Sequence, residues 1–144
     1  MYLEELTQGR RISLAPVTIT KEEMVAFARA YDPIPLHTDE AYAKTTRFGQ
    51  LIAPGVMSFM AVWVKYLEQD FLGEQLVAGK STKIEWFLPV FAGDVLTGTA
   101  YVSNVTVRND YNGIAEVTID VVNQDGKPVL RDVTEAIVQR RPRT

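Results

Sequence analysis

The apolar positions divide the chain into a helical first half and a strand-rich second half. Ile12 to Ile19 alternates loosely and predicts a first strand. Thr20-Lys21-Glu22-Glu23 has the form of a capping box, with Thr20 at the N-cap and Glu23 three residues on. Met24, Phe27, Ala28 and Tyr31 then recur at helical spacing and make one apolar face. That helix must stop before Pro33, because a proline turns the residue before it away from helical backbone. Thr38 is placed to cap a second, short helix with Asp39 and Glu40 in its first turn, and Gly49 would terminate it. A third helix is expected from Pro54-Gly55 to about Gln69 or Phe71. Val56, Met57, Phe59, Met60, Val62, Trp63, Val64 and Leu67 make it apolar nearly all round, which predicts the most buried element.

After Gly73 the period changes from helical to alternating. Ile84, Trp86 and Leu88 alternate with Glu85 and Phe87, and Pro89 stops that strand. Val95 to Val107 is rich in Val, Thr and Tyr and reads as a long strand. Asn112-Gly113 is a two-residue hairpin signal. Ala115, Val117, Ile119 and Val121 alternate with polar neighbours, Asp125-Gly126 turns the chain, and Val129, Val133 and Ile137 lie on a last strand. Long successive strands with tight turns imply an antiparallel meander. One face must cover something apolar, and the third helix is the available filling. The expected class is α+β: a curved antiparallel sheet wrapped around a central apolar helix, the hot dog fold, as one domain over residues 1–144.

Composition removes several kinds of function. The chain has no cysteine and one histidine, so a thiol nucleophile, a thiolate zinc site and a multi-histidine metal centre within one chain are all excluded. A net charge of −3 gives no sign of a nucleic-acid partner. Arg140-Arg141-Pro142-Arg143 reads as a solvated tail or, alternatively, a local anion site. The uncharged stretch Leu51 to Val64 is 14 residues long and broken by Pro54-Gly55, too short for a membrane span. The N-terminus lacks the basic-then-apolar order of a signal peptide, so a soluble cytoplasmic protein is expected.

The candidate chemistry lies in Asp32-Pro33-Ile34-Pro35-Leu36-His37. The two prolines leave the backbone between carboxylate and imidazole few shapes. An acid and an imidazole fixed relative to one another can hold a water and exchange protons with it. Taken alone, the six residues also fit a polar loop whose histidine is satisfied by a backbone group. A fully extended path would part the two α-carbons by ~15 Å, so a shared grip requires a bend between Pro33 and Leu36. Gly55 is either a simple turn residue or a backbone donor at the start of the third helix. Ser58 could bond His37 or simply pack. Arg47, Lys80, Lys83 and Arg108 are either surface cations or contacts for phosphate groups.

The flanking sequence decides between these readings. Glu5-x-x-x-Gly9, Thr18-Ile19-Thr20-Lys21-Glu22-Glu23, Asp32 to His37, Asp39-x-x-x-Ala43, Arg47-Phe48-Gly49, Leu51 to Val56 and Trp86 to Leu96 follow one another in the order of the MaoC-like acyl dehydratases. From about Leu3 to Arg140 the chain resembles that family, which is related to the (R)-specific enoyl-CoA hydratases. It departs at Ile34, where many of those hydratases have asparagine, and at Pro54, where a polar residue is common. The resemblance implies Asp32 and His37 as the catalytic pair and Gly55 as the glycine opening the central helix. It implies reversible syn hydration of a trans-2-enoyl thioester, with the Gly55 N–H in the oxyanion hole and no cofactor beyond the coenzyme A or acyl carrier protein of the substrate. It also implies a homodimer or a dimer of dimers, with neither nucleic acid nor membrane as partner. The alternatives are an acyl-CoA thioesterase and a non-catalytic acyl-thioester-binding subunit. A thioesterase of this architecture often has a carboxylate on the central helix, and Val56 to Leu67 holds Lys65 as its one charge.

Overall fold

A computed structural model describes residues 1–143. A six-stranded antiparallel sheet forms one layer and a single long helix packs against it, the hot dog arrangement. The first strand is split. β1 (Arg11–Ser13) and β2 (Val17–Thr18) both pair with β4 (Val95–Val107), and Pro16 falls between them. Proline has no N–H to give a ladder, so the strand expected from Ile12 to Ile19 is broken there. The remaining order is β1-β4-β5-β6-β3, with β5 at Asn112–Val122, β6 at Pro128–Gln139 and β3 at Leu76–Trp86.

α1 (Lys21–Tyr31) is capped as its sequence requires. The Thr20 hydroxyl accepts from the Glu23 N–H, and Met24 and Ala28 are fully buried. Tyr31 does not join that face; it is 76% exposed and leans on Phe27. The next segment breaks into two short helices, α2 (Pro35–Thr38) and α3 (Glu40–Lys44). The cap of α3 is Asp39 rather than Thr38, because the Thr38 hydroxyl turns back to the Ile34 carbonyl. Thr45 and Thr46 close the helix by donating to the Tyr42 and Ala43 carbonyls, so it ends at Lys44, five residues before Gly49.

α4 (Gly55–Leu67) crosses β4, and its buried side is Met57, Ser58, Phe59, Val62 and Tyr66. It is not enclosed on all sides. Val56, Met60, Val64 and Leu67 lie on the other side and are about half exposed. β3 is longer than its apolar pattern: it starts at Leu76, runs through Lys80-Ser81-Thr82-Lys83 and pairs only with β6. An edge strand with little burial needs no alternation, which hid its first half. The Asn112-Gly113 signal was also displaced. The turn occupies residues 108–111, and Asn112 and Gly113 open β5, where a Cβ on residue 113 would strike Leu3 and the Thr106 carbonyl. On β6 the inward residues are Leu130, Asp132, Thr134, Ala136 and Val138; Val133 and Ile137 point the other way. Arg141 and Arg143 are exposed to solvent, as a tail would be, and Arg140 partly so, but all three are also paired. Arg140 and Arg141 grip Glu4 and Glu5, and the Arg141 N–H with the Arg140 guanidinium holds the Glu4 carboxyl down to about 2.

Candidate active site

Asp32 ends α1, its N–H still donating to the Ala28 carbonyl at 2.8 Å. The Ile34 N–H then donates back to the Asp32 carbonyl at 2.9 Å across Pro33, and Pro35 opens the single turn α2. The His37 N–H reaches the Ile34 carbonyl at 3.0 Å. These two reversals supply the required bend with every peptide trans. They bring Asp32 Oδ2 to 3.3 Å from His37 Nε2.

The other ring nitrogen is fixed as well. His37 Nδ1 lies 2.7 Å from the Ile52 carbonyl oxygen, which can only accept, so Nδ1 carries a proton. Ile52 is itself anchored: its N–H meets the Leu36 carbonyl, and the Ala53 N–H meets the Val90 carbonyl at 2.8 Å. Nε2 is therefore the nitrogen that faces Asp32. For the 3.3 Å contact to be a hydrogen bond, one proton must sit between imidazole and carboxylate. His37 is buried, whereas Asp32 is partly open to solvent. The pair thus has a fixed inner member and an outer member within reach of water.

His37 and Gly55 line one cavity of about 290 Å³, together with Ser58, Trp86 and Leu88, and Arg47 lies on its wall. Asp32 does not line it; it reaches the cavity through His37. Gly55 is the first residue of α4, and its N–H belongs to the unpaired donors of a helix start. Among the described residues no acceptor meets it. The Gly55 carbonyl accepts twice, from the Trp86 indole N–H at 2.9 Å and the Ser58 hydroxyl at 2.8 Å. The Ser58 hydroxyl therefore serves the helix start, and the His37 ring nitrogens are taken by Ile52 and Asp32 instead. A Cβ at residue 55 would stand 2.6 Å from Trp86 Cε2, so the glycine admits the indole as well as leaving the amide accessible.

Sequence reasoning missed Ile52 and Trp86 as parts of this site. Ile52 acts through its backbone, which leaves no mark on residue type. Trp86 stood in an alternating strand pattern and read as a face residue. Of the four candidate cations, Arg47 lines this cavity, Lys80 lines another, Lys83 pairs with Glu85 at 3.6 Å, and Arg108 lies in the β4–β5 turn. Among the described residues no group of three His, Cys, Asp or Glu side chains is arranged to hold a metal, and no helix is long and apolar enough to cross a membrane.

A second cavity, about 340 Å³, opens further along α4 against β3, with Phe59 and Trp63 on one side and Thr82 and Thr134 on the other. Behind the threonines lies Asp132, fully buried. Its carboxyl contacts the Thr82 hydroxyl and the Thr134 hydroxyl, the latter at 2.6 Å, and the two hydroxyls are 2.7 Å apart. Burial pushes the Asp132 carboxyl up from its ordinary value, against the two hydroxyl bonds. The Tyr66 hydroxyl is pushed up too, by burial and then by Asp132.

A sequence model of the MaoC-like domain matches residues 5–123. The (R)-specific enoyl-CoA hydratase of Aeromonas caviae is 32% identical over 145 residues, covering 96% of this chain and 98% of that protein. The structure named as the monoamine oxidase regulatory protein of Archaeoglobus fulgidus superposes with a TM-score of 0.93 at 28% identity, over 99% of this chain and 96% of that one. The MaoC-like dehydratase of Rhodospirillum rubrum superposes with a TM-score of 0.82 at 30% identity, over 99% of both chains.

Proposed function

The chain belongs to the MaoC-like domain family, and on that premise we propose that it is a hydro-lyase. It would add water reversibly, on one face, across the double bond of a trans-2-enoyl thioester, giving an (R)-3-hydroxyacyl thioester. The observation that carries this reading is the 3.3 Å contact between Asp32 Oδ2 and His37 Nε2, with the ring held by Ile52. Two relatives that carry the name (R)-specific enoyl-CoA hydratase support it.

In the addition, a water held by the pair loses a proton to it while its oxygen bonds to the β-carbon. Negative charge moves to the thioester oxygen. The pair then returns a proton to the α-carbon on the same face, so atoms and charge balance. The Gly55 N–H, at the positive end of α4, is the donor this reading gives to the thioester oxygen. One such donor typically contributes ~3 kcal/mol of transition-state stabilisation. Asp32 and His37 act as one unit, with the proton passing through their shared contact.

The thioester of coenzyme A or acyl carrier protein is substrate in this reading, and no resident cofactor is required. This reading goes with a place in the cytoplasm and in fatty-acid metabolism. A homodimer goes with it: β3 leaves one edge unpaired, and the Val56, Met60, Val64 and Leu67 side of α4 is uncovered in the single chain. The test is hydration of crotonyl-CoA and longer enoyl-CoAs, followed by loss of enoyl absorbance. Activity that survives both Asp32→Asn and His37→Ala would overturn the assignment, and release of free thiol in place of hydration would make the protein a thioesterase.

A further inference from the structure

α4 and β3 pass alongside one another. Gly55 touches Trp86 at one end; Phe59 and Trp63 share the second cavity with Thr82 and Gly79. At 1.5 Å per residue, Phe59 and Trp63 stand about 6 and 12 Å beyond Gly55 along the helix. An acyl chain of medium length that starts at Gly55 and runs along α4 would come level with the second cavity. Its side walls are aromatic, as an alkyl chain requires. Its floor is not: Thr82 and Thr134 present hydroxyl oxygens there, backed by Asp132.

Proton counting settles what that floor can bind. Three oxygen-to-oxygen contacts join Asp132, Thr82 and Thr134. The two hydroxyls bring two protons, and a protonated Asp132 brings the third, which closes the ring. If Asp132 is ionised, both hydroxyl protons go to its carboxylate. In either state no proton is left over, while each hydroxyl oxygen keeps an unused lone pair. The floor accepts hydrogen bonds and donates none. A plain alkyl tail would dehydrate these oxygens and replace nothing. An ammonium tail is disfavoured by Lys80, which lines the same cavity and is held near Glu135 at 3.5 Å.

We infer that this groove receives the far end of the acyl chain, and that Thr82 and Thr134 select a tail bearing a neutral hydrogen-bond donor, a hydroxyl in the simplest case. The inference rests on the hydro-lyase reading for the reaction, but its recognition step can be measured separately. The experiment compares hexenoyl, octenoyl and decenoyl thioesters of coenzyme A with their ω-hydroxy counterparts. At the chain length that comes level with the two threonines, kcat/KM favours the hydroxylated substrate by roughly tenfold, the weight of one net hydrogen bond. Thr82→Val and Thr134→Val each erase that preference or reverse it. Thr82 lies on the edge strand, so its variant serves if the Thr134 variant fails to fold. Equal use of both tails at every length, or a preference untouched by the Thr82 variant, overturns the inference. If no enoyl thioester is hydrated, the catalytic reading falls and the tail is judged by calorimetric binding of saturated decanoyl-CoA against ω-hydroxydecanoyl-CoA. Tighter binding of the hydroxylated ligand then upholds the inference, and equal binding defeats it.

Discussion

The Trp86 indole fills the place where a side chain on residue 55 would begin. Its N–H donates to the Gly55 carbonyl at 2.9 Å, and its ring carbon lies 2.6 Å from the position of a Cβ. A residue on the edge strand thus fixes the first turn of α4, the turn whose free amide the proposed reaction uses.

Gly55→Ala should lose about 1–3 kcal/mol of stability, the usual cost of forcing an extra carbon into a packed site. It should lose most of its hydratase activity as well. Urea denaturation of Gly55→Ala, Trp86→Ala and the double variant reads the coupling directly. With the indole gone, the alanine should cost much less. Independent, additive losses would mean that something other than Trp86 excludes a side chain at residue 55.

Asp32→Asn and His37→Ala should each lower kcat by ~10²–10⁴, the range for a positioned acid or base. Because the two side chains share one contact, the double variant should fall little further than either single one. Steady-state hydration of crotonyl-CoA measures all three. Multiplying losses would assign the two residues separate roles.

Asp132 makes the stability of the fold depend on pH. Burial raises its native value above that of the unfolded chain, so the folded protein holds this proton longer. Its contribution is complete below the unfolded value, about 3.9, and is lost as pH rises through the raised native value. The difference in unfolding free energy between wild type and Asp132→Asn should therefore fall as pH rises from about 4. Urea titrations at closely spaced pH test this, and a difference that stays level would show that Asp132 ionises normally.

Val64 lies in the middle of the uncovered side of α4, between Met60 and Leu67. The wild-type protein should run as a dimer in size-exclusion chromatography with light scattering. Val64→Lys should weaken that dimer by roughly a hundredfold, since it buries an unpaired charge, while circular dichroism stays unchanged. A wild-type monomer would remove the dimer from the proposal.

Much of the fold could be read where burial imposes a period. β4 spans the residues its composition outlines, and Ala115, Val117, Ile119 and Val121 are buried as their alternation requires. The cap at Thr20 was equally visible, because it depends on residues three positions apart. The first half of β3 carried no such sign, since its partner is a single strand and both faces are largely in water. Tyr31 matched a helical period that the packing does not use. Within the site, Asp32, His37 and Gly55 stood out because chemistry restricts their type. Ile52 contributes a carbonyl, which any residue has. Asp132 breaks the apolar pattern of β6, and the sequence alone offers no partner for it. Only the register that sets Ile84 beside it and Thr82 beside Thr134 shows why an acid can be there.

The chain has two tryptophans, and each is a wall of one of the two cavities: Trp86 beside His37, Trp63 beside Thr82. The molecule therefore contains its own pair of optical reporters. Emission from the Trp63→Phe protein follows the cavity beside His37 alone, and emission from the Trp86→Phe protein follows the cavity beside Thr82. An acyl chain bound as proposed would be located along its length without attaching any dye.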